Sequence, residues 1–224
     1  MDFDFKYRES DSPYVDAVWQ TRSHGGSFMS VAESHWGMVV TKQAGKITLT
    51  VRGPETKAIP SPVPDDADIF GIVFKLGTFM PHLPNNKLVD GEIHLPEAAG
   101  KSFWLHSSSW QFPTFENSDT FINRLIREGL LVQDTIVDAV LQHHTPDVSI
   151  RTVRRRFLQA TGMTQGTIVQ SERAQQAAEL LRQGTSILDT VFEAGYFDQP
   201  HLTRSLKHFI GQTPAQIIAA NQSE

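Results

Sequence analysis

Ser186-Ile187-Leu188-Asp189-Thr190-Val191-Phe192-Glu193-Ala194-Gly195-Tyr196-Phe197-Asp198-Gln199-Pro200-His201-Leu202-Thr203-Arg204-Ser205-Leu206-Lys207 holds two helix starts around one glycine. Ser186 with Asp189 is a capping-box-like start, Gly195 is a turn, and Asp198 caps the second helix. At about 100° per residue, Leu202, Leu206 and Phe209 form a packed face on that second helix. Pro200, Arg204 and Lys207 then lie on the outer face, flanked by His201, Thr203 and His208. One face is built to pack on a partner helix and the other is cationic, as a helix entering a DNA major groove requires.

The same design recurs upstream. Ser149 precedes Ile150, Val153 and Phe157, which cluster on one side of a helix closed by Gly162. Arg151 and Arg155 point away from that cluster, Thr152 and Arg156 lie on one flank, and Arg154 borders the other. Arginine suits groove reading because its planar fork binds guanine or phosphate bidentately. Between the two units runs a long helix carrying Ile168, Ala174, Ala177, Ala178 and Leu181, ended by Gly184. Thr213-Pro214 starts a last helix.

The first part of the chain reads differently. Gly37–Lys42, Lys46–Arg52 and Ile69–Lys75 are short and rich in β-branched and aromatic residues. Ile47, Leu49 and Val51 alternate with Lys46, Thr48 and Thr50, the period of a half-buried strand. Gly53-Pro54, Pro60-Ser61-Pro62, Gly77, Pro81 and Pro84 supply turns between strands. Asp119 is expected to cap a helix to about Glu128, ended by Gly129, with Phe121, Ile122, Leu125 and Ile126 on its apolar stripe. That stripe would pack on the β-rich part or form a dimer contact. The expected fold is therefore α+β and multidomain. Residues 1–129 would form a β-rich barrel- or sandwich-like sensor and dimerisation domain, and residues 130–224 an all-α domain with two helix-turn-helix subdomains joined by a long helix.

Gly195-Tyr196-Phe197-Asp198-Gln199-Pro200-His201-Leu202-Thr203-Arg204, followed by Lys207-His208-Phe209-Ile210-Gly211-Gln212-Thr213-Pro214, resembles the signature of the AraC/XylS family of bacterial transcription regulators. Arg154-Arg155-Arg156-Phe157 with Thr161-Gly162 resembles that family's first helix-turn-helix, and Glu172–Leu181 its connecting helix. The resemblance covers roughly residues 133–220. It implies sequence-specific binding of promoter or operator double-stranded DNA. Arg151, Arg154 and Arg155 would be one base-reading set and Gln199, His201, Thr203 and Arg204 the second. Thr152 and Pro200 would share the interface, and Arg156 and Lys207 would contact phosphate. It implies a cytoplasmic protein and no cofactor. It admits a small-molecule effector on the N-terminal domain, a homodimer and, for an activator, RNA polymerase as partners.

Two features depart from the family pattern. His143-His144-Thr145-Pro146-Asp147-Val148 is longer than the usual tight turn of the first unit. Phe192 stands where the family usually has a small residue, and is expected either to push the helices apart or to fill a domain contact.

Composition removes other classes. The chain has 224 residues and no cysteine, which excludes disulfides, thiolate metal sites and a cysteine nucleophile. The alkyl-acceptor chemistry of DNA-repairing family members falls with them. No run of about 18 apolar residues suggests a membrane helix, and the polar start is unlike a signal peptide. No nucleophile elbow or phosphate loop is present. His24, His35, His82, His94 and His106 are scattered, and Trp19, Trp36, Trp104 and Trp110 are expected in core or pocket wall. An enzyme is not expected; the alternative is a cupin-like β-barrel enzyme with a helical accessory domain. The net charge of -5 divides as -4 over residues 1–129 (12 cations, 16 anions) and -1 over 130–224 (8 and 9). Four of those eight cations fall within Arg151–Arg156, so DNA binding would depend on a few well-placed arginines.

Overall fold

The computed structural model describes residues 5–221. Thirteen strands precede most of the helices. They are β1 (Lys6–Arg8), β2 (Val15–Ser23), β3 (Ser27–Ser30), β4 (Gly37–Gln43), β5 (Lys46–Arg52), β6 (Ile59–Pro62), β7 (Ala67–Phe74), β8 (Thr78–Phe79), β9 (Glu92–His94), β10 (Glu97–Ala98), β11 (Ser102–Leu105), β12 (Ser108–Gln111) and β13 (Val132–Gln133). The helices are α1 (Ser118–Arg127), α2 (Thr135–Leu141), α3 (Ile150–Thr161), α4 (Gln165–Arg182), α5 (Ile187–Glu193), α6 (Gln199–Phe209) and α7 (Pro214–Asn221). The β-rich N-terminal region and helical C-terminal region follow from the two hydrophobic periods in the sequence.

The chain forms two compact units, and neither is a single stretch. Of the described residues, the first contains 5–26, 35–54 and 62–164; the second contains 27–34, 55–61 and 165–221. The sequence placed its boundary at 129/130, after the helix expected over about 119–128. The structure differs at both ends of that reading. Helices α2 and α3 belong to the first unit, and two short segments of the β-rich half belong to the second.

The first unit is organised by an antiparallel sheet in the order β1-β2-β7-β4-β5-β9. Its register aligns rows of side chains across the strands. Val18, Ile72, Met38 and Val51 form one row, and Gln20, Phe70, Val40 and Leu49 the next. Most of these are buried, in a core completed by Trp36, Phe74, Phe103 and Trp110. Trp36 stacks on Phe74 with ring centroids 4.2 Å apart, and its Nε1–H donates to the Thr78 carbonyl at 2.6 Å. Trp104, expected inside, is exposed, because β11 presents it on the face opposite Phe103 and Leu105.

Helix α1 lays Phe121, Ile122 and Leu125 into this core, so its apolar stripe packs on the β-rich unit. Asn117, not Asp119, occupies its N-cap. Asp119 instead accepts from Arg8 Nη1 at 2.7 Å and from the Ser10 hydroxyl, tying the helix to β1. Gly129, with φ +68°, ends the turn as expected. Asp134 then caps α2, accepting from the N–H groups of Ile136 and Val137.

Helix α3 starts at its Ser149 cap and stops at Gly162, whose φ is +77°. Phe157 and Ala160 are buried, and Asn85 Nδ2 donates to the Ala160 carbonyl at 2.6 Å. Ile150, expected on the packed side, is 71% exposed. It stands at the first turn of α3, beyond the long connection from Gln142 to Ser149.

The second unit has its own core. Ala174, Ala177, Ala178 and Leu181 of α4 meet Leu202, Leu206 and Phe209 of α6, Tyr196 and Ile217. Small residues on α4 let the other helices approach closely. Ala32, two residues beyond the end of β3 in the ribbon that β3 forms with β6, is fully buried in that core. Its N–H donates to the Phe209 carbonyl at 2.7 Å, and its carbonyl accepts from Gln175 Nε2 at 2.9 Å. The Ala58 N–H donates to His208 O at 2.8 Å. The ribbon thereby satisfies two carbonyls at the end of α6, which helix termini otherwise leave open.

Candidate nucleic-acid interface

Helices α5 and α6 form the sharper of two helix pairs. Ser186 accepts from the Asp189 N–H, so α5 starts where the capping pattern placed it. Gly195 (φ +68°) turns the chain, and the Tyr196 N–H returns to the Val191 carbonyl at 2.8 Å. Asp198 then accepts from the His201 N–H at 2.7 Å and opens α6. Leu202 and Leu206 have no exposed surface, which fixes the rotation of α6. Gln199, Pro200, His201, Arg204 and Lys207 are consequently exposed, and Thr203 is half-buried beside them. Among the described residues no carboxylate lies in salt-bridge reach of Arg204 or Lys207.

Tyr196 is a positioning residue the sequence did not single out. Its buried hydroxyl shares a hydrogen bond of 2.9 Å with Ser205, and its ring meets the His201 ring edge-on at 5.1 Å. Burial raises its phenol pKa above the ordinary value, with Ser205 and Arg173 opposing that shift. The neutral phenol thus holds α6 against the turn. An aromatic directly after a turn glycine was the available signal.

Phe192 neither separates these helices nor fills a contact within its unit. It is 86% exposed, with Leu188 one turn away and Phe197 91% exposed. The packed side of α5 is carried instead by Thr190 and Val191.

On α3, five polar neighbours separate into two classes. Arg151, Arg154 and Arg155 are exposed, at spacings that align them on one helical face. Among the described residues none of the three has a carboxylate partner. Arg156 is engaged: its Nε donates to Asp134 Oδ2 at 2.5 Å, and Asp134 is 3% exposed. The same carboxylate caps α2, so Arg156 ties α3 to the start of α2. The Thr152 hydroxyl and N–H both engage Ser149 Oγ, at 3.0 and 3.2 Å, as part of the α3 cap.

The scattered histidines include one close pair. His82 and His106 have ring centroids 4.8 Å apart, and burial, then His106, holds the His82 pKa below its ordinary value. Among the described residues no group of three His, Cys, Asp or Glu side chains could hold a metal ion. Among them, too, no helix is long and apolar enough to cross a membrane.

Residues 147–220, from just before α3 to the last turn of α7, match the family model of a helix-turn-helix domain. No curated protein and no solved structure gives a match to the chain. The matched range contains both arginine-bearing α3 and the capped α5–α6 pair in the order the sequence motif demands. Over residues 147–220 this match supports a DNA-binding helix-turn-helix region of the AraC type.

Proposed function

We propose that the protein is a sequence-specific transcription regulator that reads double-stranded DNA with α3 and α6. The observation that carries this reading is the outer face of α6. Its packed face is locked by Leu202, Leu206 and Phe209, while Gln199, His201 and Arg204 are left open at the N-terminal half of the helix. That half is the part a recognition helix inserts into the major groove. Arg204 takes the role of guanine or phosphate fork, with Thr203 and Gln199 beside it; Pro200 shapes the first turn and Lys207 contacts phosphate.

Arg151, Arg154 and Arg155 give α3 the same role at a second groove segment. The connecting helix α4 has 18 residues, about 27 Å at 1.5 Å per residue. Arg156 and Thr152 act by holding α3, since their polar groups serve Asp134 and Ser149. The β-rich unit would carry an effector, a dimer contact or both, acting by shifting the population competent for DNA. A homodimer, and RNA polymerase for an activator, are the partners this reading admits, in a bacterial cytoplasm.

The test is a gel shift on the gene's own upstream region, backed by selection from a random DNA pool. Specific binding is expected, and Arg204→Ala should weaken it by about 1–3 kcal/mol at the selected site. Absence of any selected sequence, or an unchanged affinity for Arg204→Ala, would sink the assignment of α6 as reader.

A further inference from the structure

The sheet of the first unit changes character along its length. Val18, Ile72, Met38 and Val51 fill the core, and Gln20, Phe70, Val40 and Leu49 lie two residues further along their strands. Two residues further again, the same face carries Arg22, Asp68, Lys42 and Ile47. Strand alternation thus keeps these charged side chains on the same sheet face, next to the apolar row of Phe70 and Val40. Lys6, paired with Gln20, adds another cation on that face.

These residues line a cleft of about 870 Å³. Its apolar walls are Val40, Ile47, Phe70, Phe112 and Phe115. Its charged groups are Lys6, Arg22, Lys42 and Lys101 against Asp68 and Glu116. Arg22 is already committed, with Nη2 2.7 Å from Asp66 and Nη1 3.4 Å from Asp68. Among the described residues no carboxylate lies within salt-bridge reach of Lys6, Lys42 or Lys101. Glu116 is held in its charged form by its own backbone N–H and by the Thr114 hydroxyl. Three uncommitted lysines therefore face one carboxylate across an aromatic-walled cleft, in a chain whose net charge is -5.

We infer that this cleft binds a small organic acid with an apolar body. The body lies against Phe70, Phe112 and Phe115, and the acid group meets Lys42 and Lys101. The volume suits a ligand of that class. An inorganic anion would leave the aromatic walls unused, and a neutral apolar ligand would leave the lysines uncompensated. The inference deepens the effector role proposed above for the β-rich unit, and its test requires no DNA.

Calorimetry on the full chain compares 2-naphthoate with 2-naphthamide and octanoate with octanamide, with acetate as the head group alone. An acid from the aryl pair, the alkyl pair or both is expected to bind at least about tenfold more tightly than its amide, with acetate weakest. The preferred pair identifies the body. Lys42→Gln with Lys101→Gln should remove about tenfold for the acid and leave the amide unchanged; Lys75→Gln, outside the cleft, should change neither. These lysines are exposed, so the variants fold, as a circular dichroism spectrum would show. Equal binding of acid and amide, an acid indifferent to the double variant, or no saturable binding at millimolar acid overturns the inference. A separate gel shift with and without the acid judges the regulator reading: binding without any DNA response refutes the effector role while the site itself stands.

Discussion

Gln175→Ala is the most discriminating change the fold suggests. Gln175 and Gln176 are neighbours on α4, and nothing in their local sequence distinguishes them. In the structure Gln175 Nε2 donates to the Ala32 carbonyl at 2.9 Å, while Gln176 is exposed with no partner among the described residues. Ala32 has no exposed surface, so water cannot replace the lost donor. Stranding a buried acceptor costs about 1–3 kcal/mol. The Ser171 hydroxyl, 3.4 Å from the same oxygen, retains a weak contact and places the expected loss at about 1–2 kcal/mol. Gln176→Ala should stay within about 0.5 kcal/mol of the parent. Hydrogen exchange at the Ala32 amide, which is bonded to Phe209, reports the opening directly. A loss of 1–2 kcal/mol corresponds to exchange roughly 5–30-fold faster. Urea midpoints followed by circular dichroism should fall by about 1 M or more if the unit unfolds with a slope near 1 kcal/mol/M. Indistinguishable behaviour of the two variants would refute the claim that the ribbon is part of the second unit's core.

Four further outcomes follow from the same geometry. Arg156→Gln leaves the buried Asp134 carboxylate without its cation and should cost about 1.5–3 kcal/mol of stability by thermal melt. Arg155→Gln should leave the melt unchanged and weaken DNA binding in the gel shift. Gly162→Ala would bring a Cβ to 2.9 Å from Pro54 Cγ and 3.0 Å from Asn85 O, at a φ of +77°. Gly184→Ala has a φ of +89° and open space, so it meets only the left-handed strain of about 1–2 kcal/mol, and Gly162→Ala should cost about 1–3 kcal/mol more. Burial alone would raise the Asp119 pKa, but Ser10 and Arg8 outweigh it and hold it below the ordinary value. Its contribution is fully present above the unfolded pKa of about 4 and is lost as pH falls through the depressed folded value. Asp119→Asn should therefore flatten that part of an acid-unfolding curve, and an unchanged slope would remove Asp119 from the account.

Local chemistry was the legible part of this chain. Ser149, Ser186 and Asp198 each cap the helix they precede, and Gly162, Gly184 and Gly195 each turn with positive φ, because caps and glycines act within a few residues. The outer face of α6 followed from the helical period for the same reason. Pairing over long separations was not legible. Arg156 is engaged by Asp134, 22 positions away, and the Ala32 carbonyl by Gln175, 143 positions away. Asp119 looked like a cap until Arg8 and Ser10, more than 100 positions earlier, claimed its carboxylate. Phe192 was read by type as a packed residue, whereas the rotation of α5 turns it outward.

The ribbon also sets an order of events during synthesis. Ala32 emerges 143 residues ahead of Gln175, a delay of roughly 7–30 s at ordinary elongation rates. Throughout that interval its amide and carbonyl, and the neighbouring Val31, have no helix to dock on. The second unit's core then closes around residues that have been waiting since early in translation. Refolding from denaturant should share that bottleneck, since such distant contacts must be found before they stabilise anything.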